Sequence, residues 1–310
     1  MTMNDIAKNQ SSESNIKIAA AFRYAYRKAK FWKSMIWTLT LILVIGQLFA
    51  AINHQSFQEY LPDNLAAMLI TISLATMLMT TLGKHYLINT SVVLGSKLQR
   101  LHDFNILSLG IKPSHLDVLP SQIEKFSSKW LSSKPDDKVN LSEWWPVSVS
   151  NIPDKAGIAL CLLSTFKWEY ELRSKYSWFL VLSTLAILAG SFCLMHILDL
   201  LLADFIVKII VPLSPLLGLL IDEWLLNRTG VQLSRSSSQE ALNIWNDLSG
   251  KTITEQMASE RLGQLMYSWD NYRAAMSPIF DWIYWLTQKT MNDDMVIDID
   301  SLVYDYQQNQ

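Results

Sequence analysis

Four uncharged or nearly uncharged apolar runs punctuate the chain, at 34–52, 64–82, 178–198 and 205–225. Each is long enough to cross about 30 Å of hydrocarbon as a helix, which takes roughly 20 residues. Between positions 36 and 52 the polar side chains are Thr38, Thr40 and Gln47, and 65–82 carries Ser and Thr but no charge. Soluble amphipathic helices keep a polar stripe, and these runs have none. The pattern predicts two hairpins of transmembrane helices, 34–82 and 178–225. They separate three hydrophilic pieces: 1–33, 83–177 and 226–310.

The hydrophilic pieces read as helical too. Residues 1–15 are polar and predict disorder. Residues 16–33 are basic and aromatic, a helix running into the first span and a candidate anchor for anionic headgroups. Val92, Val93, Leu94, Leu98, Leu101 and Phe104 recur at helical spacing, so the second span continues beyond the membrane until Gly110, Pro113 and Pro120 break it. Residues 132–153 read as a loop. A helix capped by Asp154 leads into the third span, and the fourth extends towards Asn243. Leu262, Leu265, Met266, Trp269, Tyr272, Met276, Ile279, Trp282, Ile283 and Leu286 have core-like helical spacing, interrupted by Pro278. Five Asp and no Lys or Arg fall in the last twenty residues, either a solvated tail or a segment docked on a basic face. The fold class expected is all-α: a polytopic membrane protein with four transmembrane helices and a helical cytoplasmic domain.

Composition supports this. Half of the residues are hydrophobic, 17% are charged and mean hydropathy is +0.15, against about 25% charged in soluble domains. Charge then sets orientation. Lys17, Arg23, Arg27, Lys28, Lys30 and Lys33 precede the first span; Lys84, Lys97 and Arg100 follow the second; Lys167, Arg173 and Lys175 precede the third; Arg228 and Arg235 follow the fourth. The loop 53–63 has no Lys or Arg, and the second outer turn has at most Lys208. Both termini and the central segment are therefore expected in the cytoplasm, with Trp32, Trp37, Trp178 and Trp224 as an aromatic belt. Cys161 and Cys193, one on the cytoplasmic side and one within a span, predict no disulfide framework.

Sequence motifs for nucleotide, metal or nucleophile chemistry are absent, and no cofactor or enzymatic activity is expected. His102 and Asp103 are neighbours, and adjacent helical residues face apart. Glu169 and Arg173 read as a paired helix surface. Polar groups in or near the spans are the candidates for gating: Gln47 deep in the first; His196 and Asp199 on one face of the third; Asp204 and Lys208 at the start of the fourth; Pro212 and Pro215, followed by Gly218, as a kink. An Asp199–Lys208 or Asp204–Lys208 pair bracing the outer turn accounts for those charges equally well.

Two blocks carry a family resemblance. Ser142-Glu143-Trp144-Trp145-Pro146 is followed by Cys161, Trp168-Glu169, Leu172-Arg173 and Tyr176. Later come Leu262-Gly263-Gln264-Leu265-Met266-Tyr267 and Pro278-Ile279-Phe280-Asp281-Trp282-Ile283-Tyr284, ending near Met295. With the two hairpins, the chain resembles the SMODS-associating four-transmembrane effectors of bacterial CBASS anti-phage operons. It departs from their pattern at Leu162 and Thr165, where Gln and Asn are usual.

The resemblance implies an inner-membrane effector, switched on by a cyclic nucleotide and oligomerising to open a pore or disrupt the membrane. Its partners would be the lipid bilayer, further copies of itself and the nucleotide, with no DNA or RNA polymer. Four spans in one copy enclose no wide channel, so a pore implies several. An anionic nucleotide calls for cations and a stacking aromatic: Lys97, Arg100, Lys155, Arg261 and Arg273, with Trp144 or Trp145 as the platform. The competing readings are a membrane-bound enzyme acting on lipid or nucleotide, drawing on His85, His102, Asp103 and Asp136-Asp137, and a membrane scaffold.

Overall fold

The computed structural model describes residues 4–53, 64–109 and 118–308. Regular structure among them is entirely helical. Gly110, Pro113 and nearly all of the loop 53–63 lie outside the described residues.

Contrary to the disorder expected of the first fifteen residues, Asn4 onwards is docked. A short helix, α1 (Ile6–Gln10), buries Ile6 and Gln10. Its hydrogen bonds are specific: Asn4 Nδ2 donates to the carbonyls of Val149 (2.7 Å) and Ile152 (3.0 Å), and Gln10 Nε2 donates to that of Trp145 (3.0 Å). Close approach is possible because position 157 is Gly; a Cβ there would stand 2.5 Å from Asn4 Nδ2 and 2.8 Å from the Val149 carbonyl.

Ser12 caps α2 (Glu13–Ile52), its hydroxyl accepting from the Asn15 N–H, as N-cap serines do. Ala19, Ala20, Ala21, Ala25 and Ala29 are buried; these small side chains let neighbouring helices close in. The chain returns through α3 (Leu65–Gly83), a π-turn at Lys84–Asn89 and α4 (Thr90–Leu107). The first hairpin is closely packed at Gly83, where a Cβ would meet Ile36 Cδ1 at 2.7 Å. α5 (Pro120–Ser133) begins with Pro120 at its first position, where a missing N–H costs nothing. It lies along the N-terminal half of α2, where Tyr24 meets Phe126 and Arg27 donates to Ser133.

The stretch read as a loop contains three short helical pieces, a 3₁₀ turn at Pro135–Asp137, α6 (Lys138–Ser142) and a 3₁₀ turn at Val147–Asn151. Then comes α7 (Asp154–Ile197), with Pro153 rather than Asp154 at the cap. Asp199 turns the chain in the left-handed region (φ 47°), which Asp tolerates better than most residues. α8 (Leu202–Phe205), a π-turn at Ile206–Ile210 and α9 (Val211–Ser249) follow. α7 and α9 pack together more extensively than any other pair of described elements. α10 (Glu255–Ala275) and α11 (Asp281–Gln308) complete the chain.

Four helical rods, Glu13–Ile52, Leu65–Leu107, Asp154–Ile197 and Leu202–Ser249, are long and apolar enough to span a bilayer. Leu41, Ile42, Phe49, Leu74, Leu78, Leu182, Leu185 and Phe192 face outward from them, as lipid-contacting side chains do. Thr40, Thr71, Thr76 and Thr81 return their hydroxyls to carbonyls four residues back, which lets polar side chains lie in an apolar span. Beyond the spans the rods continue into a helical head. Both ends of the described chain belong to it: Asn4 bonds Val149, and Gln307 Nε2 reaches the Asn151 carbonyl at 3.5 Å.

Candidate functional site at the membrane–head junction

Where the rods leave the apolar region, one buried charge gathers four segments of the chain. Lys33 closes the basic run of α2 and is 1% exposed. Its ammonium pairs with Glu223 of α9 and donates to the Pro278 carbonyl (2.7 Å), Ser277 Oγ (3.2 Å) and Tyr176 Oη of α7 (3.3 Å). Glu223 also accepts from the Tyr176 hydroxyl (3.1 Å) and Ser277 Oγ (3.2 Å). The ring of Phe280 closes over the cation at 4.6 Å. Lys84 pairs with Asp222 on the adjoining side. A cavity of about 20 Å³ lies between the pairs, lined by Lys33, Thr80, Lys84, Asp222, Glu223 and Ser277, with room for about one water.

A second layer stands above this knot. Arg173, read from sequence as surface, is 5% exposed. Its Nε donates to Glu169 Oε1 (2.7 Å) and its Nη1 to Asn227 Oδ1 (3.3 Å), while Asn227 Nδ2 returns a bond to the Arg173 carbonyl (2.8 Å). The Tyr272 hydroxyl donates to the same Glu169 oxygen (3.2 Å). Gly230 makes the space, since a Cβ there would sit 2.8 Å from Arg173 Cδ.

The third layer joins α4 to α10. Arg273 Nη2 contacts Asp103 Oδ2 at 2.7 Å, and His102 Nδ1 lies 3.1 Å from Asp103 Oδ1. Adjacent residues thus do meet here, contrary to the expectation that they face apart. Burial would raise the Asp103 pKa, but Arg273 and His102 outweigh it and hold the carboxyl below its usual range. Asp270 lies 3.5 Å from Arg100. Burial pushes its pKa up to about 6, with the neighbouring Asp103 adding to the rise and Arg273 and Arg100 opposing it. The three layers carry balanced charge, and each joins helices from different parts of the chain. In each layer a buried or half-buried carboxylate faces an internal cation: Glu223 faces Lys33, Glu169 faces Arg173 and Asp103 faces Arg273.

The residues singled out from sequence take varied places. Trp145 is buried; its Nε1 donates to the Cys161 carbonyl (3.1 Å) and Thr165 Oγ1 (3.2 Å), so it works as a packing pillar. Trp144 is half-buried between Phe22, His102 and the Arg23 guanidinium. Arg100 and Arg273 converge on the α4–α10 layer. Lys155 pairs with Asp154. Arg261 forks between Glu240 (2.8 Å) and Asp247 (2.6 Å). Lys97 is exposed on α4.

In the spans, Gln47 is buried, with its side-chain oxygen 2.9 Å from Ser73 Oγ. That hydroxyl also lies 3.0 Å from the Val211 carbonyl. Pro215 has no N–H for the carbonyl four residues back, so Ser73 of α3 and Ser214 Oγ (2.8 Å) serve Val211 instead. One hydroxyl proton cannot serve two acceptors. Turning the Gln47 amide so that Nε2 faces Ser73 satisfies the chain Gln47 to Ser73 to Val211. Pro212 is the second residue of α9, in the first turn, where a missing N–H costs little. Lys208 pairs with Asp204 (3.4 Å), while His196 and Asp199 are exposed at the far end.

Lys33, Tyr176, Glu223 and Ser277 were missed from sequence as site residues. The available signal was Asp222-Glu223, two adjacent acids near the end of an apolar run whose one other charge is Lys208; ionisable groups in such a position are functional candidates.

Comparison with known proteins follows the topology. The family model described as "SMODS-associating 4TM effector domain" matches residues 4–302. A probable CBASS effector molecule of Bacillus cereus (strain VD146) is 21% identical over 298 residues, covering 93% of this chain and 95% of that protein. No solved structure matches. A match over nearly the whole length, on a chain with four membrane-crossing rods and a helical head, places the protein in a family: it is a multi-pass membrane protein and belongs to the SMODS-associating 4TM effectors.

Proposed function

We propose that this protein is a CBASS effector of the bacterial inner membrane, with its head and both termini in the cytoplasm. A cyclic nucleotide bound by the head triggers it, and several copies then assemble to open a pore or disrupt the bilayer. The observation that carries this reading is the continuity of α2, α7 and α9 from head to membrane, joined at Lys33, Tyr176 and Glu223. A shift of the head is transmitted to the spans with no intervening linker. The relative in Bacillus cereus supports the class of function.

A ligand moves such an equilibrium only by its differential affinity for the two states. Lys97, Arg100, Lys155, Arg261 and Arg273 are the proposed anion-binding cations, with Trp144 or Trp145 as the stacking surface. Arg100, Lys155, Arg261 and Arg273 already hold carboxylates. A phosphate arriving at one of them exchanges with an internal acid, and that exchange is the proposed trigger.

The test is dye release from proteoliposomes. Cyclic dinucleotides or trinucleotides that bind the purified protein are expected to cause leakage in a protein-dependent manner. Demonstrated binding without leakage overturns the pore reading.

A further inference from the structure

The start of α11 presents large apolar side chains that the described residues leave largely uncovered. Trp282, Trp285 and Leu286 are 43%, 65% and 78% exposed, while Ile283 and Met291 on the other side are buried. Their spacing had suggested core; for Trp282 and Leu286 the structure shows otherwise.

Contacts fix the height of these residues. Phe280 packs edge-on against Trp37 at 5.4 Å, and Trp37 lies one helical turn into the first apolar run beyond Lys33. Trp282 packs edge-on against Phe179 at 4.9 Å, the second residue of the third run. Trp178 beside it is 68% exposed. From there α11 climbs away antiparallel to α7: Trp168 Nε1 donates to Asn292 Oδ1 (3.1 Å), and Lys167 pairs with Asp298 further along. Trp282, Trp285 and Leu286 therefore stand at the level where the spans enter the bilayer. Ile297 and Tyr304, on the same side of the helix, stand well above it.

We propose that the first two turns of α11 are a membrane foot, seated in the headgroup–acyl boundary of the head-side leaflet. The bilayer is the occupant because this apolar surface is continuous with span residues that face lipid. Tryptophan favours that depth, where its ring is apolar and its N–H reaches water or headgroup oxygens. Charge along the helix agrees. The acid within the foot, Asp281, is paired with Lys30 (2.6 Å); the exposed Lys289 comes one turn above, and Asp293, Asp294, Asp298, Asp300 and Asp305 all follow it, so the acidic half is held away from anionic headgroups. The foot is joined directly to Ser277 and Pro278, which bind Lys33. Lipid engagement and the buried charge knot are thus coupled through one short segment. This inference rests on the membrane spans and is independent of the CBASS reading.

Depth measurement tests it. In a Cys193→Ser background, with the buried Cys161 retained, nitroxide labels are placed at Leu286→Cys and, as a reference on the same helix face, at Ser301→Cys. The protein is reconstituted at one copy per nanodisc of phosphatidylethanolamine and phosphatidylglycerol. Power saturation is then compared with oxygen and with a water-soluble nickel chelate. The label at 286 is expected to be several-fold less accessible to nickel, and more accessible to oxygen, than the label at 301. Equal nickel accessibility at the two positions overturns the foot. Shielding that develops only in discs holding two or more copies also overturns it, assigning the face to contact between copies.

Discussion

Lys33 on α2 and Glu223 on α9, 190 positions apart, meet as an ion pair with 1% and 8% of their side chains exposed. An isolated buried charge is costly, so the value of such a pair lies in each ion's need for the other. The bond also fastens the Ser277–Pro278 segment and Tyr176, so the junction between head and spans has one electrostatic centre.

Removing one partner strands the other. Lys33→Met and Glu223→Leu are each expected to destabilise the protein by about 3–5 kcal/mol, whereas the double variant recovers most of the loss. Thermal unfolding of the four proteins in one detergent provides the cycle. Additive losses show that the two side chains act separately.

Asp270 should make stability depend on acidity. Its pKa of about 6 is above the unfolded value, so its contribution is complete below about pH 4 and is lost as pH rises through 6. Asp103, whose pKa is depressed, loses its contribution only below the ordinary carboxylate range. Between pH 7.5 and 5 the wild type should therefore gain in apparent Tm relative to Asp270→Asn, measured as the difference between the two curves. Parallel curves would rule Asp270 out as the titrating group.

The carbonyl freed by Pro215 should be visible through its rescuer. Ser73→Ala deprives Val211 and Gln47 of a shared partner and is expected to cost about 1 kcal/mol. Adding Pro215→Ala restores a helical N–H and should recover part of that loss. The measurement is detergent-phase thermal stability; a double variant less stable than Ser73→Ala contradicts the account.

Gly157→Ala places a methyl group against Asn4 and the Val149 carbonyl. Hydrogen exchange is expected to rise across residues 4–11, with the spans unaffected. Unchanged protection of α1 would mean that the docked segment is held by other contacts.

The spans were legible in sequence because they are apolar on all sides, and the rods were legible because the stripe in α4 and the pattern before α7 keep helical spacing. Docking of residues 4–10 was not, since it depends on side-chain hydrogen bonds to a distant backbone and leaves no hydropathy trace. The buried charges were hidden for a related reason. Lys33 and Arg173 count as positive residues beside a span; Glu223 and Asn227 lie far along the chain, and the i,i+4 pairing of Arg173 with Glu169 looks the same in sequence whether exposed or buried. Trp282 and Leu286 show the converse ambiguity: helical apolar spacing looks the same whether it faces a core or a lipid. That Trp145 ties residue 10 to residue 161 was equally hidden, since both bonds run to positions far from it in the chain.

The hydroxyl of Ser73 has a mechanical consequence. The two hairpins are separate in sequence, yet a backbone carbonyl in the second depends on a side chain in the first. If α9 slid past α3 by even one turn, the Val211 oxygen would keep only its local Ser214 partner and would lose its tie to Gln47, with no water in the bilayer to replace it. Small tilts preserve the bond and large slides do not. Within one copy, rocking of α3 and α9 together keeps this bond, and sliding of one along the other breaks it.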